Sequence, residues 1–377
     1  MVQCMTPQDF DLIVIGAGMA GSTAAAHLAP HQRVALVEAE DAPGYHTTGR
    51  SAAMWMQNYG PPDVRVLTGL SRAFLEVPPP GFAEHALVSH RSVLYLAPEA
   101  QRAQLEQMLA EGIGLQPIAV AAVRAMVPAL RPGYAVAAAI ERDSFDLDVA
   151  AIQQGFLRQL RAAGGTLALR SRAGRIERRA GCWDVHTASG VVFHAPVVIN
   201  ASGAWGDEVA AIAGVRKLGL TPCRRTAAII DPGPFDVEHW PIINDCAHTW
   251  YARPEARTRL MVSPADETPF DPQDIQPDEL DVAIGIDRMQ QALDIEVRRV
   301  ERSWAGLRTF TPDRSLAFGW DATAEGFFWC VGQGGYGIQT SPAAGRLVAD
   351  LVLGRDPGPA GAIVAAIDPR RFFSPSP

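Results

Sequence analysis

The sequence predicts an α/β chain organised around a parallel sheet, because one pattern returns three times. A short apolar run meets a glycine turn and then a small-residue helix at 11–28, at 197–206 and at 326–344. Parallel strands buried on both faces read as continuous apolar runs, and glycine-bounded crossovers join them. A length of 377 residues favours two domains over one large core.

The first return carries the most information. Asp11 to Ile15 reads as a buried strand, and GAGMAG follows at 16–21, ahead of an alanine-rich helix to Leu28. Gly16 permits the tight turn, Gly18 lets a pyrophosphate approach the backbone, and Gly21 lets the helix pack on the sheet. The helix start at Ala20 offers free N–H groups and a partial positive charge. A second strand, 33–38, ends at Glu38, about 20 residues on, where a carboxylate accepts ribose hydroxyls and repels a 2′-phosphate. These features in register predict a Rossmann-like dinucleotide site. The loop PGYHTTGRSAA at 43–53 is too polar for a core strand and too irregular for a helix, and suits a flat ring stacked on backbone. FAD is therefore favoured over NAD.

The remaining elements follow in order. Val64, Leu67, Leu70 and Phe74 recur with helical period over 63–76, and the run from Pro78 to Gly81 ends that helix. A polar helix is expected near 99–111 and an amphipathic one over 147–163. Short strands are expected over 166–200, with turns at 180–181 and 189–190. Residues 217–312 read as strands rich in Arg, Trp and Tyr, with acidic loops near 266–280, suited to the roof of a substrate pocket. The expected division is a discontinuous FAD-binding domain at 1–80, 146–216 and 313–369. An α+β substrate domain with a mixed antiparallel sheet takes 81–145 and 217–312, and a mobile tail 370–377.

Composition narrows the partners. A formal charge of −8 disfavours nucleic acid or an anionic membrane surface. Five scattered cysteines, at 4, 182, 223, 246 and 330, fit reduced thiols, and no zinc-type spacing is present, so no metal site is expected. No apolar run reaches the roughly 18–20 residues of a membrane helix, and no leader-like segment opens the chain, so the expected compartment is cytoplasmic.

Read together, GAGMAG, PGYHTTGRSAA, NASGAW at 200–205, WAGLRTFTPD at 304–313 and GQGGYGIQTS at 332–341 resemble the D-amino-acid oxidase superfamily of flavoproteins. The resemblance is greatest to the bacterial FAD-dependent D-arginine dehydrogenases. It implies noncovalent FAD, since no cysteine stands near WAGLRTF where relatives attach the flavin. The contacts it implies are Gly49, Arg50, Ser51 and Ala52 in the loop, Ala173 toward the nucleotide, and Ala201, Gly203 and Trp205 in the second turn. In the last turn it implies Gly334, Gly335, Tyr336, Gly337 and Ile338.

For the substrate, the resemblance implies that Arg308 clamps a carboxylate with its planar fork. Tyr251 helps, Tyr59 lines the pocket, and the Gly335 carbonyl accepts from the amine. Two positions depart from the dehydrogenase pattern: Met54 stands for a histidine and Val93 for the glutamate that receives the substrate guanidinium. A missing buried carboxylate costs an arginine substrate about 2–5 kcal/mol, or roughly 30- to several-thousand-fold in affinity. With Met54 and Val93 taken as pocket residues, the expected substrate is an apolar or aromatic D-amino acid. Hydride passes to flavin N5 and leaves a 2-imino, then a 2-oxo acid. Alternatives are a secondary amine, a 2-hydroxy acid, or a flavin-binding protein with impaired catalysis, Glu84 being another acid that can replace the missing one. The electron acceptor is open between oxygen, a quinone and a carrier.

Overall fold

A computed structural model describes residues 8–373. The expected buried strands form one six-stranded sheet. Its order is Thr166–Ala168, Val34–Val37, Leu12–Ile15, Val197–Asn200, Phe327–Val331, Ala317–Trp320, and only the last strand runs antiparallel. Strand alternation splits each run between two cores. Leu12 and Val14 pack with the helices Met19–Leu28, Val149–Ala162 and Ser341–Val352. Ile13 and Ile15 pack with Ile176, Trp183, Val185 and Phe193 of a four-stranded sheet on the opposite face.

The second large sheet has nine strands, drawn from 93–141 and 221–310. Eight run Thr268–Pro269, Thr221–Ile230, Arg259–Ser263, Tyr251–Glu255, Ile242–Asp245, Val93–Ala97, Ala137–Glu141, Leu115–Pro117, and Val300–Phe310 pairs with Thr221–Ile230. One face carries a core of Leu94, Ile243, Trp250, Ala252 and Val262 beneath Met289. The other face looks toward the nucleotide sheet.

The helices at Pro62–Glu76 and Val149–Ala162 fall close to their expected places, and the polar helix is Arg102–Glu111 after a 3-10 turn. A difference arises near 279. Acidic residues read as loop continue into a 14-residue helix, Glu279–Ala292, because Asp278 caps it by accepting from Leu280 N at 2.9 Å. The first residues of the expected mobile tail are structured. Pro369–Phe372 forms a 3-10 turn, and Arg371 donates to Asp313 at 2.6 Å and to Leu316 O at 2.8 Å. The rest of that tail, 374–377, lies outside the described residues, as does Cys4. No helix among the described residues is long and apolar enough to cross a membrane.

Candidate active site

Between the two sheets runs a cavity of about 420 Å³. At its floor the first glycine turn is built by close approach. Gly16 has φ +102°, and a Cβ there would stand 2.6 Å from Ala201 O. A Cβ on Gly21 would stand 1.8 Å from Gly16 O, so Gly21 serves helix packing and does not line the cavity. Gly18 and Ala20 do line it. Gly18 caps the helix with no side-chain bond, which leaves helix N–H groups facing the space, although Met19 N donates to Thr48 Oγ1 at 2.9 Å. Glu38 is held in place by two backbone donors: Ala17 N at 2.7 Å and Glu40 N at 3.0 Å. A carboxylate has about four acceptor sites, so two remain for ribose hydroxyls.

The loop 43–53 closes one side. Thr47 donates to Leu307 O at 2.6 Å, Arg50 to Ala305 O at 3.0 Å and to Asp274, and Trp304 Nε1 to Arg50 O at 3.0 Å. Arg50, Ser51 and Ala52 line the cavity. Gly49 does not, because its N–H bonds back to Gly44 O at 2.7 Å inside the turn. Ala173, Ala201, Gly203 and Trp205 line the nucleotide end, where Trp205 rests 4.5 Å from the His46 ring.

The roof follows from strand alternation. Arg225 and Ala227 on one strand pair in register with Gly306 and Trp304 on the next, and all four line the cavity with Arg308 and Tyr251. Arg308 Nη1 donates to Tyr59 Oη at 2.8 Å. The last glycine loop meets this pair: Gly334 N donates to Thr309 O at 2.9 Å, and a Cβ on Gly335 would stand 2.7 Å from Arg308 Nη1 and 3.0 Å from Tyr59 Oη. Gly334, Gly335, Gly337 and Ile338 line the cavity. Tyr336 is buried behind it, its ring 4.9 Å from that of Tyr59, and Tyr59 itself lies at the wall rather than in the lining.

Electrostatics tie these groups together. Burial pushes the Tyr59 phenol up, but the Arg308 and Arg225 guanidiniums outweigh that and hold it below its ordinary value. Burial works against the Arg308 charge, yet Tyr59 and Tyr251 raise its affinity for its proton beyond the usual arginine range.

Two expected pocket residues are corrected. Met54 and Val93, 7% and 0% exposed, belong to a closed apolar cluster with Tyr95, Ala97, Leu105 and Ile242, and neither lines the cavity. The packing of five strands and a helix around them leaves no open wall. Glu84 is exposed and lies outside the lining as well. Conversely, the sequence reading passed over Arg225, which donates to Asp266 O at 2.9 Å and to Glu267 at 3.0 Å. Its neighbour Arg224 points to the opposite face, toward Asp281. Only alternation along a known strand separates the two. No cluster among the described residues has the side chains to hold a metal ion.

Glycine turn, acid-ended second strand and a long cleft under a roof of strands define a flavin-dependent oxidoreductase. The chain belongs to the DAO family of FAD dependent oxidoreductases, whose pattern it matches over residues 11–351. Among curated proteins it is 28% identical to FAD-dependent oxidoreductase domain-containing protein 1 of Xenopus laevis, over 48% of this chain and 39% of that one. It is 26% identical to a glycine oxidase of Bacillus licheniformis over 56% of each. The chain thus spans between about two fifths and a little over half the length of these relatives. In fold it is similar to the L-proline dehydrogenase of P. horikoshii, with a TM-score of 0.82 over 98% of this chain and 99% of that one, at 20% identity. The residues present fit the cofactor: the turn at Gly16 and Gly18 leaves backbone at the cavity floor where a pyrophosphate can approach, and Glu38 keeps acceptor sites for ribose beyond its two backbone bonds.

Proposed function

We propose that this chain oxidises a D-amino acid to its 2-imino acid, which water converts to the 2-oxo acid. FAD, when bound, supplies the hydride acceptor at its N5. The protein's own share is positioning and exclusion of water. One observation carries the reading: the Arg308 guanidinium, Tyr251 and the Gly335 backbone line the cavity together, with Tyr59 at the wall bonded to the guanidinium, the set needed to grip a carboxylate beside an amine. Arg308 takes the carboxylate in a bidentate pair with help from Tyr251, and the Gly335 carbonyl accepts from the amine.

Arginine is a poor candidate substrate. The acids lining the cavity are Glu38, Glu40 and Glu208, all on nucleotide-side segments, so none stands beside Arg308 to receive a second guanidinium. Side-chain preference rests on Ala227, Trp304 and Ile338 rather than on Met54 and Val93, and these walls suit an apolar or aromatic group. The same clamp grips glycine-like secondary amines and 2-hydroxy acids, which form the second reading.

The test is anaerobic mixing of the yellow holoenzyme with panels of D- and L-amino acids, secondary amines and hydroxy acids. Bleaching by D-amino acids and not their mirror forms supports the proposal; bleaching by hydroxy acids alone sinks it. Arg308→Met is expected to lower kcat/KM by roughly 30- to several-thousand-fold, the cost of about 2–5 kcal/mol for an unpaired charge, while flavin content stays constant. Unchanged kcat/KM removes the clamp.

A further inference from the structure

Tyr59 holds the Arg308 guanidinium from the cavity wall, so the direction in which that clamp faces depends on what holds Tyr59. Tyr59 ends a tight turn. Its N–H donates to Met56 O at 3.3 Å, and Gln57 and Asn58 are the two central residues. The bond of such a turn joins its first carbonyl to its fourth N–H, which leaves the second N–H in need of a partner. Here that N–H, from Gln57, donates to Glu141 Oε1 at 2.6 Å. Asn58 Nδ2 donates to the other oxygen, Oε2, at 2.9 Å. Glu141 ends the strand Ala137–Glu141 of the roof sheet and is 2% exposed. The Tyr95 hydroxyl approaches it at 3.4 Å, and all three donors are neutral.

The nucleotide half holds the other side of the turn. Gln339 accepts from Met56 N at 3.3 Å and donates to Tyr59 O at 3.4 Å and to Thr68 Oγ1 at 2.8 Å. On the roof side a carboxylate is the group that the place demands. Asn58 cannot turn its amide round, because its oxygen accepts from Ile113 N at 2.7 Å and its nitrogen also donates to Ile113 O at 3.0 Å. Two donors therefore point at residue 141, and a side chain with two acceptor oxygens serves both.

We propose that Glu141 is a positioning residue for the Arg308 clamp. It fixes the turn at 56–59, and through Tyr59 Oη it sets the direction of the guanidinium that meets the substrate carboxylate. The proposal rests on the functional reading above. A guanidinium presents its N–H donors in a rigid fork, and Tyr59 takes one of them. When the turn shifts, that bond either breaks or pulls the fork aside, and one of the two parallel bonds to the carboxylate is lost.

Glu141→Gln tests this, since it keeps shape and volume but supplies one acceptor where two donors stand. In the holoenzyme, propionate binding read from the visible flavin spectrum is expected to weaken about tenfold, the worth of one charge-assisted hydrogen bond. With substrate, KM is expected to rise by a similar factor while the bleaching rate at saturation stays near that of the parent, because the clamp grips ground and transition states alike. A loss of folded protein alone would lower flavin content and leave both constants unchanged. A double-mutant cycle reads the route through Tyr59. In a Tyr59→Phe background, Glu141→Gln is expected to change propionate affinity by less than about twofold. A full further loss there, or no loss in the parent background, overturns the proposal. Asn58→Ala, which removes one of the two donors, supplies the same cycle should Glu141→Gln not fold. Hydrogen exchange needs no ligand: the amides at 56–60 are expected to exchange faster in Glu141→Gln, and unchanged exchange overturns the proposal. If propionate does not bind the parent holoenzyme and no amino acid bleaches it, the functional reading fails. Faster exchange then still supports the anchoring of Tyr59 by Glu141, and unchanged exchange overturns that as well.

Discussion

Gly335 is the residue whose change would act most directly on the clamp. A methyl group there would press on Arg308 Nη1 and Tyr59 Oη at 2.7 and 3.0 Å, and neither can retreat without giving up their bond. Gly335→Ala is therefore expected to lower kcat/KM by about 10²-fold, the usual cost of misplacing a positioning group by about 1 Å, with little change in melting temperature. Steady-state kinetics beside a thermal melt separates the two effects. Glu38→Ala acts at the far end. It leaves Ala17 N and Glu40 N without their acceptor and removes the ribose contact, so FAD is expected to wash out on dialysis while Arg308 stays in place. Single residues were legible where a motif fixed their surroundings, as with Gly16, Glu38 and Arg308. Arg225 was not, because adjacent arginines on a strand face opposite ways and composition cannot say which faces inward. Met54 and Val93 misled for a related reason. Sequence places them near the site, and only strand packing shows that the core closes over them.

Among the elements, the helix Met19–Leu28 is closely packed on a neighbour. A Cβ on Gly345 of the neighbouring helix would stand 2.7 Å from Thr23 Cβ, so the two helices meet nearly backbone to backbone. His27 lies in this seam, its ring 5.8 Å from Phe156 and its Nε2 without a partner. Burial there lowers its pKa from 6.5 to about 4. The depressed value means that the unfolded chain binds this proton more readily. Stability is full above about pH 6.5 and falls as pH drops toward 4, by up to about 3 kcal/mol. Urea melts at several pH values, compared with His27→Phe, should show a flatter acid limb in the variant. The helix Glu279–Ala292 makes the complementary point about legibility. Its acidic first turn resembles a loop in composition, and the Asp278 cap marks it as a helix start only when the apolar residues beyond are followed to Ala292. Asp278→Ala is expected to cost about 1 kcal/mol in a denaturant melt without touching flavin content.

At the scale of the whole molecule, the two large sheets differ in how far the sequence revealed them. The nucleotide sheet was legible because three of its six strands run into glycine turns that lead to helices. The order of the roof sheet was not. Val93–Ala97 pairs in parallel with Ile242–Asp245 across well over a hundred residues of chain, and no local signal records such a partnership. Cofactor binding couples the two halves. Because FAD would bind the folded cavity alone, a concentration 100-fold above its Kd should add about 2.7 kcal/mol and raise the melting temperature by several degrees. A calorimetric scan of apoprotein against holoprotein measures this, and no shift would mean that FAD does not bind the folded chain in preference to the unfolded one.

The polar segment 43–53 carries a last consequence. Thr47, Arg50 and Trp304 stitch it to the roof strand beside Arg308, so it acts as a buckle between the halves. Loosening it would open one wall of the cleft without touching the glycine turn or Glu38, so a variant that lacks the Thr47 hydroxyl is expected to lose flavin faster on dialysis than the parent chain, and a protease cut in this short stretch is expected to do the same.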